Sequence, residues 1–77
     1  MKRWTPIIVR WCDAHGGDTG WGDPSELHHK PADILSIGFL YKQNAKGITV
    51  VHNRDGNTTG GYTFIPACNI TSVRELG

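Results

Sequence analysis

From Ile34 to Gly77 the chain alternates apolar and polar residues in short runs, and turn-forming residues separate the runs. A period of two marks half-buried strands, and no window of this stretch repeats at the 3.6 residues of a helix. The second half of the chain therefore predicts four strands. Ile34–Gln43 sets Leu35, Ile37, Phe39 and Tyr41 on one face. Gly38, on the other face, predicts a bulge or sharp bend of the kind a closing barrel needs. Asn44-Ala45-Lys46-Gly47 fits a short hairpin loop with Gly47 in the left-handed position. Ile48–Asn53 puts Ile48, Val50 and His52 on one side and Thr49 and Val51 on the other. Asp55–Gly61 reads as a flexible turn and Tyr62–Ile65 as a strand. Pro66–Asn69 forms one tight 3₁₀-like turn, and Ile70–Leu76 is a last strand that returns to pair with the first.

That first strand is Thr5–Asp13. Ile7, Val9 and Trp11 fall on one face, and Ile8, Arg10 and Cys12 on the other. Pro6 suits a strand start because it cannot donate to a ladder. Ala14–Ala32 has no periodicity and carries Gly16, Gly17, Gly20, Gly22, Pro24 and Pro31. Loops beyond about 12–15 residues are uncommon in small domains unless they carry function. Within it, Asp23 and Pro24 match the N-cap and N1 positions of a short helical turn over Pro24–His28. The expected fold is all-β: a small, five-stranded, strongly bent antiparallel barrel of SH3-like or Sm-like type, with a long loop between strands 1 and 2. Trp11, Phe39, Tyr41, Tyr62 and Phe64 sit at alternating positions and are expected in its core.

Composition narrows the function classes. Seventy-seven residues make a single domain, 1–77. A core this small supplies roughly 3–5 kcal/mol, so a homo-oligomer is expected to add stability. The net charge is +1, from 8 basic and 7 acidic residues. That balance gives no footprint for nucleic acid, which is disfavoured, and no polybasic signal for lipid. No apolar run approaches the ~20 residues that a membrane span needs. Met1–Trp11 lacks an apolar h-region and a small-residue cleavage site, so it reads as mature protein. Two cysteines do not make a disulfide framework, which points to a reducing cytoplasm.

The segments VRWCDAHGGDTGW, ILSIGFLY and FIPACNITSVREL, in that order, resemble a family of small uncharacterised proteins encoded by tailed bacteriophages. The shared pattern is a strand ending in Trp-x-Asp (Trp11 to Asp13) and a Gly-rich stretch with a second Trp (Trp21). An SxGxL strand (Ser36 to Leu40) and an IPxxxIxxVxxL tail (Ile65 to Leu76) complete it. The resemblance implies an accessory role in the cytoplasm of an infected bacterial host, with no catalytic motif. The tail is also similar, at fold level only, to the final turn and strand of Sm-like and SH3-like barrels. Function does not follow from such a likeness.

Several side-chain groupings are candidates for chemistry. Cys12 and His15 stand at C-x₂-H spacing, His28 and His29 follow in the same loop, and Cys68 meets Cys12 if both lie at one end of the barrel. Thiolate and imidazole suit zinc, but the spacing matches no standard zinc pattern, and Cys12 as a small buried residue with solvated histidines is the competing reading. No cofactor is expected, with zinc at Cys12, His15, His28 and Cys68 the open alternative. A Cys12–Cys68 disulfide would need Cα atoms within about 7 Å. The loops around Gly16 and Gly60 expose backbone N–H groups that suit an anion, yet neither continues as a P-loop, and plain turn chemistry competes. Trp21 either stacks on a base or anchors its loop, Arg10 is able to clamp a phosphate, and Trp4 suits an oligomer interface.

Asp13 with His15, or Asp18 with His28, pairs a base with an orienting group, but such pairs arise by chance and no nucleophile elbow or HExxH is present. The reading is non-enzymatic. The protein is expected to bind a host component, in the first instance sequestering a small anionic ligand such as a signalling nucleotide at a subunit interface. Arg10, His15, Trp21 and Arg54 would be the ligand-binding residues. The alternatives are a protein-interaction module that inhibits a host protein and a minor virion or assembly protein.

Overall fold

The structure is a computed structural model that describes residues 1–14, 21–27 and 29–77. Five strands make one antiparallel sheet in the order β4-β3-β2-β1-β5. They are β1 (Pro6–Asp13), β2 (Ala32–Asn44), β3 (Gly47–Asp55), β4 (Thr58–Pro66) and β5 (Ile70–Glu75). Single 3₁₀ turns occupy Pro24–Glu26 and Ala67–Asn69. No α-helix occurs among the described residues. The all-β expectation holds and agrees with the small-barrel class, although the sheet stays open, with β4 and β5 as its free edges.

The sheet is bent because its core joins strands that are not neighbours. Ile7, Val9 and Trp11 of β1 pack with Leu40 of β2, Ile48 and Val50 of β3 and Ile65 of β4, and Ile34, Ile70 and Val73 fill in around them. Ile7, Val9, Val50 and Ile65 are fully buried. The register sets which face of β2 joins this core: Ile7 opposes Gly38, Val9 opposes Ser36 and Trp11 opposes Ile34. Small residues at Ser36 and Gly38 suit the concave side, where space is short. A Cβ on Gly38 would overlap the Val51 carbonyl oxygen and sit 2.7 Å from Val50 Cγ1. Ser36 also accepts the Trp11 indole N–H at 3.0 Å, which satisfies the polar end of the largest core side chain.

This register corrects the expected core. Of the five aromatics placed there, only Trp11 is buried. Phe39 is half-buried, while Tyr41, Tyr62 and Phe64 are 42%, 73% and 49% exposed. Leu35 and Ile37 lie on the same outer face of β2 and are also exposed. The physical reason is curvature: the more apolar face of β2 is too bulky for the concave side, and the face with Ser36 and Gly38 takes it.

The hairpin turns are tighter, and β2, β3 and β4 longer, than expected, while β1 and β5 are each one residue shorter. Asp55–Gly61 is not one flexible loop. Gly56 and Asn57 make a two-residue turn, and Thr58–Gly61 already belong to β4, with Asn53 opposite Gly60 and Arg54 opposite Thr59. Gly56 takes φ 60° at the first central position, where a tight hairpin turn calls for Gly. Gly47 takes φ 156° in place of a left-handed helical value, and a Cβ there would overlap the Ile65 carbonyl. The bulge in β2 falls between Leu40 and Lys42, so Tyr41 is the extra residue and Gly38 is the point of close approach. The capped turn at Pro24 is present, with Asp23 Oδ1 accepting the Ser25 N–H at 3.0 Å.

Candidate functional site

The outer face of the sheet carries a cleft of about 660 Å³, lined by Arg3, Trp4, Tyr41, Thr49, Val51, Asn57, Thr59 and Tyr62. Strand pairing explains this grouping. Phe39, Val51 and Tyr62 stand side by side on β2, β3 and β4. Val51 is buried although it lies outside the core cluster, so it forms the floor. Tyr62 rises on one side of it. On the other, the bulge in β2 re-aims Tyr41, as bulges beside functional surfaces commonly do.

The segment before β1 builds the remaining wall. The Thr5 N–H donates to Lys2 O at 3.1 Å and the Thr5 hydroxyl to the same oxygen at 2.6 Å, closing a turn over Arg3 and Trp4. Trp4 sits in it at φ 69°. A bulky residue in the left-handed region is strained by about 1–3 kcal/mol, and such strain gathers at functional sites. The Trp4 N–H donates to the Leu40 carbonyl, and Leu40 donates back to Thr5 O at 2.9 Å, so the turn is pinned to β2. The Arg3 Nε–H donates to the carbonyl of the bulged Tyr41 at 3.2 Å.

Guanidinium groups and rings alternate along this wall. Arg3 lies 4.9 Å from the Tyr41 ring centroid, Tyr41 lies 5.9 Å from Trp4 at a tilt of 46°, and Arg54 lies 4.4 Å from Trp4 and 5.9 Å from Phe39. Arg54 is held from behind by the Gly56 carbonyl, which accepts its Nε–H at 3.1 Å and an Nη2–H at 2.8 Å. Among the described residues no carboxylate lines the cleft. Overall near-neutrality conceals this local excess. Five of the seven acidic residues are Asp13, Asp18, Asp23, Glu26 and Asp33, whereas Ile34 through Arg54 holds Lys42, Lys46 and Arg54 and no acid.

The structure does not gather Arg10, Trp21 and Arg54, the described three of the four residues expected to bind ligand. Arg54 lies beside the cleft against Trp4. Arg10, six positions along from Trp4, has its guanidinium bound to Asp33 at 2.7 and 3.2 Å. That bidentate pair raises the Arg10 pKa and lowers that of Asp33, in each case chiefly through the side-chain hydrogen bond. Trp21 is fully exposed. His15 lies outside the described residues, as does His28 of the zinc alternative. Cys12 is half-buried with its sulfur 4.0 Å from Thr71 Oγ1, Cys68 is exposed, and both are free thiols. Among the described residues no group of three or more His, Cys, Asp or Glu side chains is placed to hold a metal.

Arg3, Trp4, Tyr41 and Tyr62 were not singled out by sequence as ligand contacts. The one signal that could have found them is the pairing of Lys2-Arg3-Trp4 at the chain start with tyrosines spaced for the same sheet face. No helix among the described residues is long and apolar enough to cross a membrane. Fold and cleft together define a small, open β-sheet protein with a cationic, aromatic groove. Comparison with known proteins found no matching family, and no curated protein or solved structure that matches significantly.

Proposed function

We propose that this protein is a non-enzymatic binder of a small anionic ligand with a flat ring, such as a signalling nucleotide, and that it holds this ligand in the Arg3–Trp4–Tyr41–Tyr62 cleft. The observation that carries the reading is the alternation of guanidinium groups and aromatic rings around a cleft that no carboxylate lines among the described residues. Rings offer stacking surface to a base, and a guanidinium fork matches phosphate oxygens in pairs. Both arginines are already fixed by backbone carbonyls, so little side-chain freedom is lost on binding. The cleft lies within one chain, and a homo-oligomer would present several copies. In the setting implied by the phage resemblance, the ligand is a host signal and the role is its sequestration in the infected cell.

The test is titration of the purified protein with adenosine monophosphate, followed by tryptophan fluorescence and calorimetry. Binding that is lost in Trp4→Ala and retained in Arg10→Ala supports this site. Equal loss in both variants, or no binding, rejects it. A second reading, an interaction module that inhibits a host protein, is favoured by a different observation. Leu35, Ile37 and Phe64 are exposed on the outer face, and β4 offers an unpaired edge without a single charged residue. Uncharged edges invite strand addition. A host protein captured by the tagged chain and lost on Phe64→Lys would support it.

A further inference from the structure

The shape and charge of the cleft specify more than a generic nucleotide. We propose that its ligand is a dinucleotide, two bases joined through a phosphodiester; this rests on the nucleotide-binding reading above. Three observations lead there. The first is size. At about 660 Å³ the cleft sits mid-range for small-molecule sites, which run about 300–1,000 Å³, so its size suits a ligand with more than one ring system.

The second is the arrangement of rings. The planes of Trp4 and Tyr41 are inclined by 46°, so one flat base lies parallel to only one of them. Tyr62 stands on the far side of β3 from Tyr41, two strand spacings or about 10 Å away. It is 73% exposed, with ring surface left uncovered. The cleft thus offers separate stacking surfaces on its two sides, joined by an apolar floor at Val51.

The third is charge. Arg3 is the single cation among the described lining residues, while Arg54, beside the cleft against Trp4, has its Nε–H and an Nη2–H taken by the Gly56 carbonyl. The Arg3 Nε–H is taken by Tyr41 O, which leaves the four N–H groups of its two terminal nitrogens to donate. A phosphodiester carries a single negative charge, which one fork matches. A nucleoside triphosphate would crowd several charges against that same fork. Thr49 toward one end of the cleft and Asn57 and Thr59 toward the other provide neutral donors and acceptors for ribose hydroxyls or base edges.

The experiment is calorimetric titration of the full chain with four probes: adenosine monophosphate, adenosine triphosphate, the dinucleotide ApA and a ten-residue oligoadenylate. A second stacked base is worth on the order of tenfold in affinity, so ApA is expected to bind about ten times more tightly than the monophosphate, with the triphosphate no tighter than the monophosphate. Tyr62→Ala should cost ApA about ten times more affinity than it costs the monophosphate, bringing the two close together, and Trp4→Ala should weaken both.

The inference is overturned, with the nucleotide reading intact, if ApA and the monophosphate bind alike or if the triphosphate binds more tightly than ApA. It is also overturned if the ten-residue strand binds more than about tenfold tighter than ApA, because the ligand is then a nucleic-acid strand. If no probe binds, both readings fall together.

Discussion

Gly38→Ala tests the claim that close approach of β3 fixes the bend in β2. The added Cβ would lie 2.7 Å from Val50 Cγ1 and 3.1 Å from the Val51 carbonyl carbon, and would overlap the carbonyl oxygen. Neither neighbour is free to recede. Val50 is fully buried in the core, and Val51 is held between Phe39 and Tyr62 in ladders on both sides. Overpacking of a tight core costs about 1–3 kcal/mol, and immovable backbone places this site at the upper end. Restriction of the unfolded chain returns about 0.4–1 kcal/mol, so a net loss of about 2 kcal/mol is expected. A chain of this length has roughly 4–11 kcal/mol of stability in total. The loss should lower Tm by about 8–16 °C, since 1 kcal/mol is worth about 4–8 °C in a domain of 60–100 residues.

Gly60→Ala is the control. Its added Cβ would have Asn53 Cβ at 3.7 Å as its nearest neighbour, an ordinary contact, so stability should be unchanged or slightly higher. Thermal and urea unfolding followed by circular dichroism measure both variants. If Gly38→Ala lies within about 0.5 kcal/mol of the parent, or if the two variants behave alike, the close-approach argument is wrong.

Three further outcomes follow from the same geometry. Trp4→Gly relieves left-handed strain of about 1–3 kcal/mol, so unfolding should show little or no loss of stability while nucleotide binding disappears; a large destabilisation would mean that the ring is held for structure alone. Ser36→Ala strips the Trp11 indole N–H of its partner and should cost about 1–3 kcal/mol in urea unfolding; no loss would show that another acceptor replaces it. Asp33→Asn removes a carboxylate whose pKa is lowered by Arg10. A lowered folded-state value means that the parent's advantage over the variant is present above the ordinary aspartate range and fades as pH falls through the folded value. Both side chains are more than half exposed, at 55% and 56%, so the advantage should be small and vanish in high salt. An advantage that grows on acidification would refute the assignment.

Much of the architecture was legible along the chain. Period-two runs located all five strands, and Asp23-Pro24 marked a capped turn that the structure forms. Errors arose where one strand held two plausible faces. In β2, Leu35, Ile37, Phe39 and Tyr41 form the more apolar set, so amphipathicity alone sends them inward. Composition marks Gly60 and Gly61 as loop, but both lie within β4, where Gly60 pairs with Asn53 of β3. The proposed site was hidden for a related reason. Arg3 and Trp4 lie 50 or more positions from Asn57, Thr59 and Tyr62 in sequence, and no short motif joins residues whose proximity depends on strand order.

Alternating polarity, turn residues and the lack of a helical period determined by themselves that this chain makes a small, all-β, antiparallel sheet. They act over neighbours two to four residues apart, which is the range sequence displays directly. Only the tertiary structure decided which face turns inward, because concavity limits volume and favours Ser36 and Gly38 over larger side chains. It alone placed the bulge at Tyr41 and folded the Trp4 turn against it. The cleft exists because three strands and the chain start converge there, and convergence is a property of the whole sheet.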